Sequence, residues 1–489
     1  MTTPPRPALA VAAALTAALA LTTSAAAAPA AENPPSPLAL NWQQAAETDT
    51  SIPGVTRTTW TEKNLPAGTR PRLLQVVELD PTAAPISLDG TVGKAAGQAE
   101  TLAEQLAGVT TVVARHPVAG VNGSLFKSEP KHPDHVTPVG AEPTTLQPMG
   151  VSVTDGVLHS SSCWGGGTGT AGAVIQYGVP YITTLLTTLN LTAADGAETR
   201  FDDINRDPGR ARGCARDNED KLVPKEVTPE KGVFRDSDEI VLFTDDYRFP
   251  VPKPDLDPLI TTEDDPGFEV VLDSTGKVTA AREGRGGEKA TDQVEVPAGG
   301  RILQGVGKGA VWLRTHAVKD TVLTVGQKLT DTRLGREIVL DPSVDVVSSF
   351  HVLLRDSKIP TALPDTCGQT STETGLCTDS RVALGTNVRG HTVFVTLTGQ
   401  DQADDVDTST HEDGASLQTF AKLVDSEELG LIEALNLDGG GSATLMTGTT
   451  THTPPTDRVG GKYVHRNVAD SVYAGVSGYG MYAKPVPKP

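Results

Sequence analysis

Aromatic residues are scarce, 4% of a 489-residue chain. The interior must therefore be filled largely by Val, Leu, Ile and Ala rather than by stacked rings. Cysteine is nearly missing, with four in all. Neither pair of sequence neighbours has Cys-x-x-Cys spacing and no histidine stands at zinc-finger distance, which argues against a zinc site. No Gly-x-Ser-x-Gly elbow occurs, so a serine-hydrolase reading has no anchor. Beyond residue 30 no run is apolar enough to cross a bilayer, and no membrane span is expected. Positive charge is also short: 41 Lys and Arg face 61 Asp and Glu, a formal net charge of −20. The excess acid is spread along the chain and repels nucleic acid and anionic lipid, so neither is an expected partner. No internal repeat of fixed period is visible.

Abundant glycine and proline, 49 and 36 residues, indicate many turns and short strands. Residues 1–30 read as a secretory signal peptide: a weak basic start at Arg6, an apolar run over 9–21, then small residues with cleavage near Ala28 or Ala30. Its removal takes the net charge to about −21. In an exported chain four cysteines read as two disulfides. Proximity suggests Cys163 with Cys214 and Cys367 with Cys377, although four cysteines allow three pairings.

Residues 31–72, rich in Pro, Ala and Thr, read as a low-complexity leader lying over the surface. The pattern Leu73-Leu74-Gln75-Val76-Val77-Glu78-Leu79 reads as a strand. A helix is expected over 100–106, and a strand at 118–121 running into Asn122-Gly123. Residues 149–159 read as a hairpin turning at Asp155-Gly156, and 268–273 with 277–282 as another. Further strands are expected at 181–191, 239–244, 301–304, 321–325, 344–354, 381–385 and 392–397, and a helix over 417–429. Two charged stretches stand out. Residues 200–231 begin like a calcium loop at Asp203, Asn205 and Asp207, but Pro208 replaces the glycine and no Glu closes it. They read as a solvated insertion, as does the acidic run 401–413.

The stretch most suggestive of chemistry is Asn436-Leu437-Asp438-Gly439-Gly440-Gly441-Ser442-Ala443-Thr444. A short apolar run delivers one carboxylate, Asp438, to three glycines whose backbone can approach a ligand closely. Unshielded N–H groups beside an acid and two hydroxyls suit an anionic or polyol ligand.

Together with Asn122-Gly123-Ser124-Leu125-Phe126, this stretch resembles the phosphodiester glycosidase family. That family's pattern is Asn-Gly-Gly-Phe-Phe early and Asn-Leu-Asp-Gly-Gly-Gly-Ser late, the second matched here without change. Arg381-Val382-Ala383-Leu384-Gly385 looks like the family's Arg-Thr-Ala-Ile-Gly, and the similarity extends over residues 73–482. The chain departs at Ser124 and Leu125, at Thr398-Gly399-Gln400 where Asp-Gly-Arg is common, at Asp470 where Asn is usual, and at Ser348-Ser349 where bacterial members have glycines.

The resemblance implies an α+β fold, with a mixed sheet core, helices and a β-rich insertion near 200–235, in one domain over 73–484. It implies an exported hydrolase of glycosyl-1-phosphodiester bonds in a sugar or cell-envelope polymer. The alternative is a non-catalytic carbohydrate-binding or envelope protein on the same fold. The expected partner is a glycan or sugar phosphodiester. Asp438, Arg381 and Asn122 are the expected catalytic residues, with Arg381 a clamp for phosphate oxygens. Gly439, Gly440, Gly441, Ser442, Thr444 and Glu129 are expected to bind substrate. A glycosidase commonly needs a second carboxyl group; Glu129 and Asp401 are the candidates. No cofactor or metal ligand is assigned, though a divalent cation such as calcium would be compatible with the acidic composition.

Overall fold

The structure, a computed structural model, describes residues 36–110, 113–128, 145–209, 212–224, 232–253, 266–289, 291–361, 363, 379–399 and 414–478. They belong to one compact unit that begins at Ser36.

Alternation of apolar residues with both faces buried produces a seven-stranded antiparallel sheet. Its order is Trp42–Gln44, Val55–Glu62, Leu73–Leu79, Thr392–Thr398, Arg381–Asn387, Leu431–Asn436 and Val352–Leu354. Period-two geometry sends successive side chains to opposite faces. Leu74, Val76, Val393, Val395, Leu397 and Ala383 point to one core, under the helix Leu417–Val424. Val77, Leu79, Phe394, Val382 and Leu384 point to another. That second core is shared with a five-stranded sheet, Thr450–Thr451, Leu445–Thr447, Ala114–Asn122, Ser471–Ser477 and Ile86–Thr91. It is also shared with the strands Thr170–Gln176 and Val344–Ser349 of a larger sheet.

That larger sheet lies between two cores. Its outward face packs through Leu185, Leu189, Val174 and Val346 on a further five-stranded sheet, Asp203–Ile204, Ile240–Thr244, Arg301–Gly305, Phe268–Leu272 and Val278–Glu283. In this sheet Asp203–Ile204 runs parallel to Ile240–Thr244. The helix Gly307–His316 closes the core with Ala310 and Leu313. Its weak apolar stripe gave no readable signal.

Strands dominate, so the expectation of a helix-bearing α+β layout gives way to a β-rich one. Among the described residues the α-helices are four, of five to ten residues each. The helix expected over 417–429 ends at Val424, where Asp425 caps it. The expected leader is also corrected. Trp42–Gln44 and Val55–Glu62 are strands of the seven-stranded sheet. Leu38 and Trp42 are buried in its core. Arg72 fastens this segment, pairing with Glu62 at 2.6 Å and lying over the Trp42 ring. Its Pro and Thr content masked strands whose apolar positions are few but large.

The supposedly solvated insertion is an internal charge network. Asp203 and Glu239 are 0% exposed and Arg206 1%. Arg206 Nε meets Asp203 Oδ2 at 2.8 Å and its Nη1 meets Glu239 Oε2 at 2.9 Å. Arg216 pairs with Asp203, Arg212 with Asp220 and Arg285 with Asp207. Charge density along a sequence does not reveal that acids and arginines will pair with one another. The disulfide Cys163–Cys214 pins this region. Cys367 and Cys377 lie outside the described residues, as do Glu129 and Asp401.

Candidate active site

The strand Leu431–Asn436 leaves the seven-stranded sheet and its continuation is held by backbone bonds on both sides. Leu437 N donates to Val382 O at 2.8 Å, Asp438 N to Gly123 O at 3.0 Å, and Gly440 N to Ser380 O at 2.8 Å. Residues Gly440–Ser442 then form a single 3₁₀ turn.

Two of the glycines are required by what lies against them. At Gly440, φ is +58°, and a Cβ would sit 3.0 Å from both carboxylate oxygens of Asp379. At Gly441 a Cβ would come within 2.3 Å of Arg466 Nη2. The loop is bare so that a carboxylate and a guanidinium can close on it.

Asp438, 9% exposed, therefore shares its surroundings with Asp379 and Arg466. Burial pushes its carboxyl up to about 7; the Ser442 hydroxyl, the Arg466 charge and the Gly439 N–H oppose the rise and Asp379 adds to it. Gly439 N donates to Asp438 Oδ1 at 3.1 Å. Arg466 is held side-on by Asp457, with Nε and Nη2 each at 2.8 Å from a carboxylate oxygen. Burial works against its charge, but Asp457, Asp438 and Asp379 outweigh that and raise its pKa. The cluster thus combines a carboxyl that exchanges protons near neutrality, a second carboxylate and a fixed cation.

Asn122 and Asp438 do meet, though not as expected. Asn122 is fully buried; its Nδ2 donates to Asp438 O at 2.8 Å and its Oδ1 accepts from Thr444 N at 3.0 Å. Its amide staples the two ends of the glycine loop, with both its oxygen and its nitrogen occupied by backbone partners. Thr444 serves the same staple, with its hydroxyl donating to Ser442 O at 3.1 Å. Arg381, also 0% exposed, donates from Nε to Ala415 O at 2.8 Å. Ala415 bridges the Asp379 backbone in both directions, so Arg381 is tied to the segment that carries Asp379. Ser442 remains against Asp438.

Sequence reasoning missed Asp379, Arg466 and Asp457 as site residues. Arg466 stands four residues before the departure at Asp470, and Asp379 two residues before Arg381. Position beside a motif was the available signal.

Three of the departures from the family pattern lie together. Ser124 Oγ donates to Asp470 Oδ2 at 2.9 Å and Ser124 N to Asp470 Oδ1 at 2.6 Å. Ser348 N donates to Ser124 Oγ at 3.0 Å. Ser152 Oγ completes the shell of Asp470 at 2.8 Å.

Residues 268–474 match the phosphodiester glycosidase family, which places Asp379, Arg381, Asp438 and Arg466 inside the matched segment. Comparison with curated proteins gives no match. Among solved structures, a protein of Burkholderia pseudomallei described as exported is 19% identical, with a TM-score of 0.68 over 91% of this chain and 98% of that one. A hypothetical protein from Synechocystis is 16% identical, with a TM-score of 0.56 over 91% of this chain and 64% of that one. The catalytic domain of zebrafish N-acetylglucosamine-1-phosphodiester alpha-N-acetylglucosaminidase is 13% identical, with a TM-score of 0.35 and 90% of each chain covered. The first two likenesses show a shared fold.

Proposed function

We propose that this protein is an exported hydrolase of glycosyl-1-phosphodiester bonds and that Asp438, Asp379 and Arg466 carry the reaction. The observation behind the proposal is that two carboxylates and an arginine close on a three-glycine turn. Asp438 protonates the departing phosphate oxygen as its bond to the anomeric carbon breaks. Asp379 takes the proton of the water that adds to that carbon. Arg466, fixed by Asp457, balances the phosphate charge. Asn122 and Arg381 are positioning residues. Support for export comes from the signal-like first 30 residues, the Cys163–Cys214 disulfide and the likeness to the Burkholderia protein. Among the described residues no helix is long and apolar enough to cross a membrane.

Sugar release from a UDP-sugar or a methyl-phosphate sugar diester tests the reading. A carboxyl raised to about 7 acting as the acid makes turnover fall as pH rises through about 7. Asp438→Asn should lose about 10²- to 10⁴-fold in turnover and abolish that limb. Its stability should change in the opposite sense. A raised folded pKa means the wild type loses stability as pH climbs from about 4 to about 7, and the uncharged Asn is spared this. Asp438→Asn should therefore melt higher than wild type at pH 8. Full activity in Asp438→Asn, or no sugar release by the wild type, would sink the proposal.

A further inference from the structure

A second acidic cluster lies apart from the glycine loop and shares no residue with it. Asp89 comes from the strand Ile86–Thr91, Asp345 from Val344–Ser349, and Asp155 from the turn between Ser152–Thr154 and Val157–Ser160. One carboxylate oxygen from each lies within 4.8 Å of the other two. Asp89 is 0% and Asp345 1% exposed, while Asp155 faces solvent.

Two buried carboxylates side by side need a compensating positive charge or a proton. Among the described residues no Lys or Arg pairs with Asp89 or Asp345. The donors that do reach the cluster leave one oxygen over. Asp89 Oδ1 accepts from Gly90 N at 3.0 Å and its Oδ2 from Tyr473 OH at 3.2 Å. Asp345 Oδ1 accepts from Asp155 N at 2.9 Å. Asp345 Oδ2 is buried and has no donor among the described residues, and the Asp345 carboxyl lies against that of Asp89. The approach is built into the backbone: a Cβ on Gly90 would lie 3.0 Å from Asp345 Cβ.

The other acidic group of similar compactness, Asp220, Asp236 and Glu239, is answered by Arg206 and Arg212. The cluster at Asp345 has no such partner. We propose that Asp89, Asp155 and Asp345 bind a divalent cation, of which Ca²⁺ is the best fit. The donor set is all oxygen, without the nitrogen or sulfur that favours zinc. Ligand oxygens about 2.3–2.6 Å from a common ion can lie up to about 5 Å apart. Asp155, at the exposed rim, gives the ion its entry, and water completes the coordination there. The ion ties the Asp155 turn to two strands from different sheets, so its role is to lock the scaffold and not to join the hydrolysis.

The test uses the full exported chain, stripped with EDTA and titrated calorimetrically with CaCl₂. One Ca²⁺ per chain is expected, with a rise in melting temperature on binding. Asp155→Asn should weaken Ca²⁺ at least tenfold. Asn tolerates the left-handed φ of +49° found there, so folding is preserved. Asp345→Asn should weaken it as much, and Tb³⁺ emission sensitised by Tyr473 should be displaced by Ca²⁺ in the wild type alone. No saturable binding up to about tenfold above the millimolar range of weak extracellular sites would overturn the proposal, leaving a proton shared between Asp89 and Asp345. Equal affinity in wild type and Asp155→Asn would overturn it as well.

Discussion

The glycine-loop site and the insertion both bury acids against arginines, and they use them differently. In the insertion Glu239 faces Arg206 and Arg212, and Asp203 faces Arg206 and Arg216. Among the described residues Arg206, Arg212 and Arg216 each have a carboxylate across from them. At the glycine loop Asp438 and Asp379 crowd one guanidinium that Asp457 already holds. The acids outnumber the cation there. A raised pKa does not separate the two regions: burial, with the charge of Glu239, pushes Asp236 up to about 7 as well. Charge matching around the arginines separates them, and the proposed function assigns scaffold to one and chemistry to the other.

The largest expected effect comes from breaking the matched network. Glu239→Gln keeps the shape but leaves the buried Arg206 and Arg212 without their shared counter-charge. Loss of one partner of a buried pair costs about 3–5 kcal/mol. Denaturant unfolding should show that loss, while turnover per folded molecule stays close to wild type. If turnover falls as far as in Asp438→Asn, the division between scaffold and chemistry is wrong.

A smaller and opposite pattern is expected at Gly441. A Cβ there would collide with Arg466 Nη2, and the guanidinium is the far end of a flexible side chain, so it can yield. Gly441→Ala should therefore keep the fold while losing some stability through the disturbed Arg466–Asp457 pair. Displacing the cation removes a charge-assisted contact worth about 1.5–3 kcal/mol, or about ten- to a hundredfold in kcat/KM for a phosphate-bearing substrate. Gly448, at φ +55° with only the Ile52 side chain near its absent Cβ, is the control. Gly448→Ala should cost some stability through its backbone conformation and nothing in kcat/KM.

Much of this was legible in the sequence, and what was not has physical reasons. The strands Leu73–Leu79, Arg381–Asn387 and Thr392–Thr398 were readable because each buries both faces and so shows a dense apolar run. The Asp438 loop was readable because three adjacent glycines are an unusual local demand. The strand Ile86–Thr91 was not foreseen: its Asp89 and Gly90 break the apolar pattern, and their purpose depends on Asp345, 256 positions away (345 − 89). Arg206 and Glu239 read as solvent-loving for the same reason, since pairing is settled in three dimensions. Asn122 does stand beside Asp438, with its amide occupied by backbone partners. A side-chain amide that satisfies a backbone looks, in sequence, the same as one that reaches for a ligand.

The smallest expected effect tests whether the departures at Ser124 and Asp470 act as a unit. Asp470 is fully buried, and burial raises its pKa while the donors Ser124 N, Ser152 Oγ and Ser124 Oγ pull the other way. Removing one hydroxyl weakens support for that carboxylate without removing it. Ser124→Gly should therefore cost about 1.5–3 kcal/mol of stability, the usual worth of a hydrogen bond to a charged group. Asp470→Asn alone places an amide among donors and should cost a similar amount. The double variant restores the family's own pair, so its loss should be smaller than the sum by about 1 kcal/mol or more in a double-mutant cycle. Because Gly123 N donates to Asp470 O and Gly123 O accepts from Asp438 N, the glycine loop is one bond removed from this pair, and kcat should move by less than about tenfold in any of the three variants. Strict additivity of the two stability losses would show that Ser124 and Asp470 are independent neighbours.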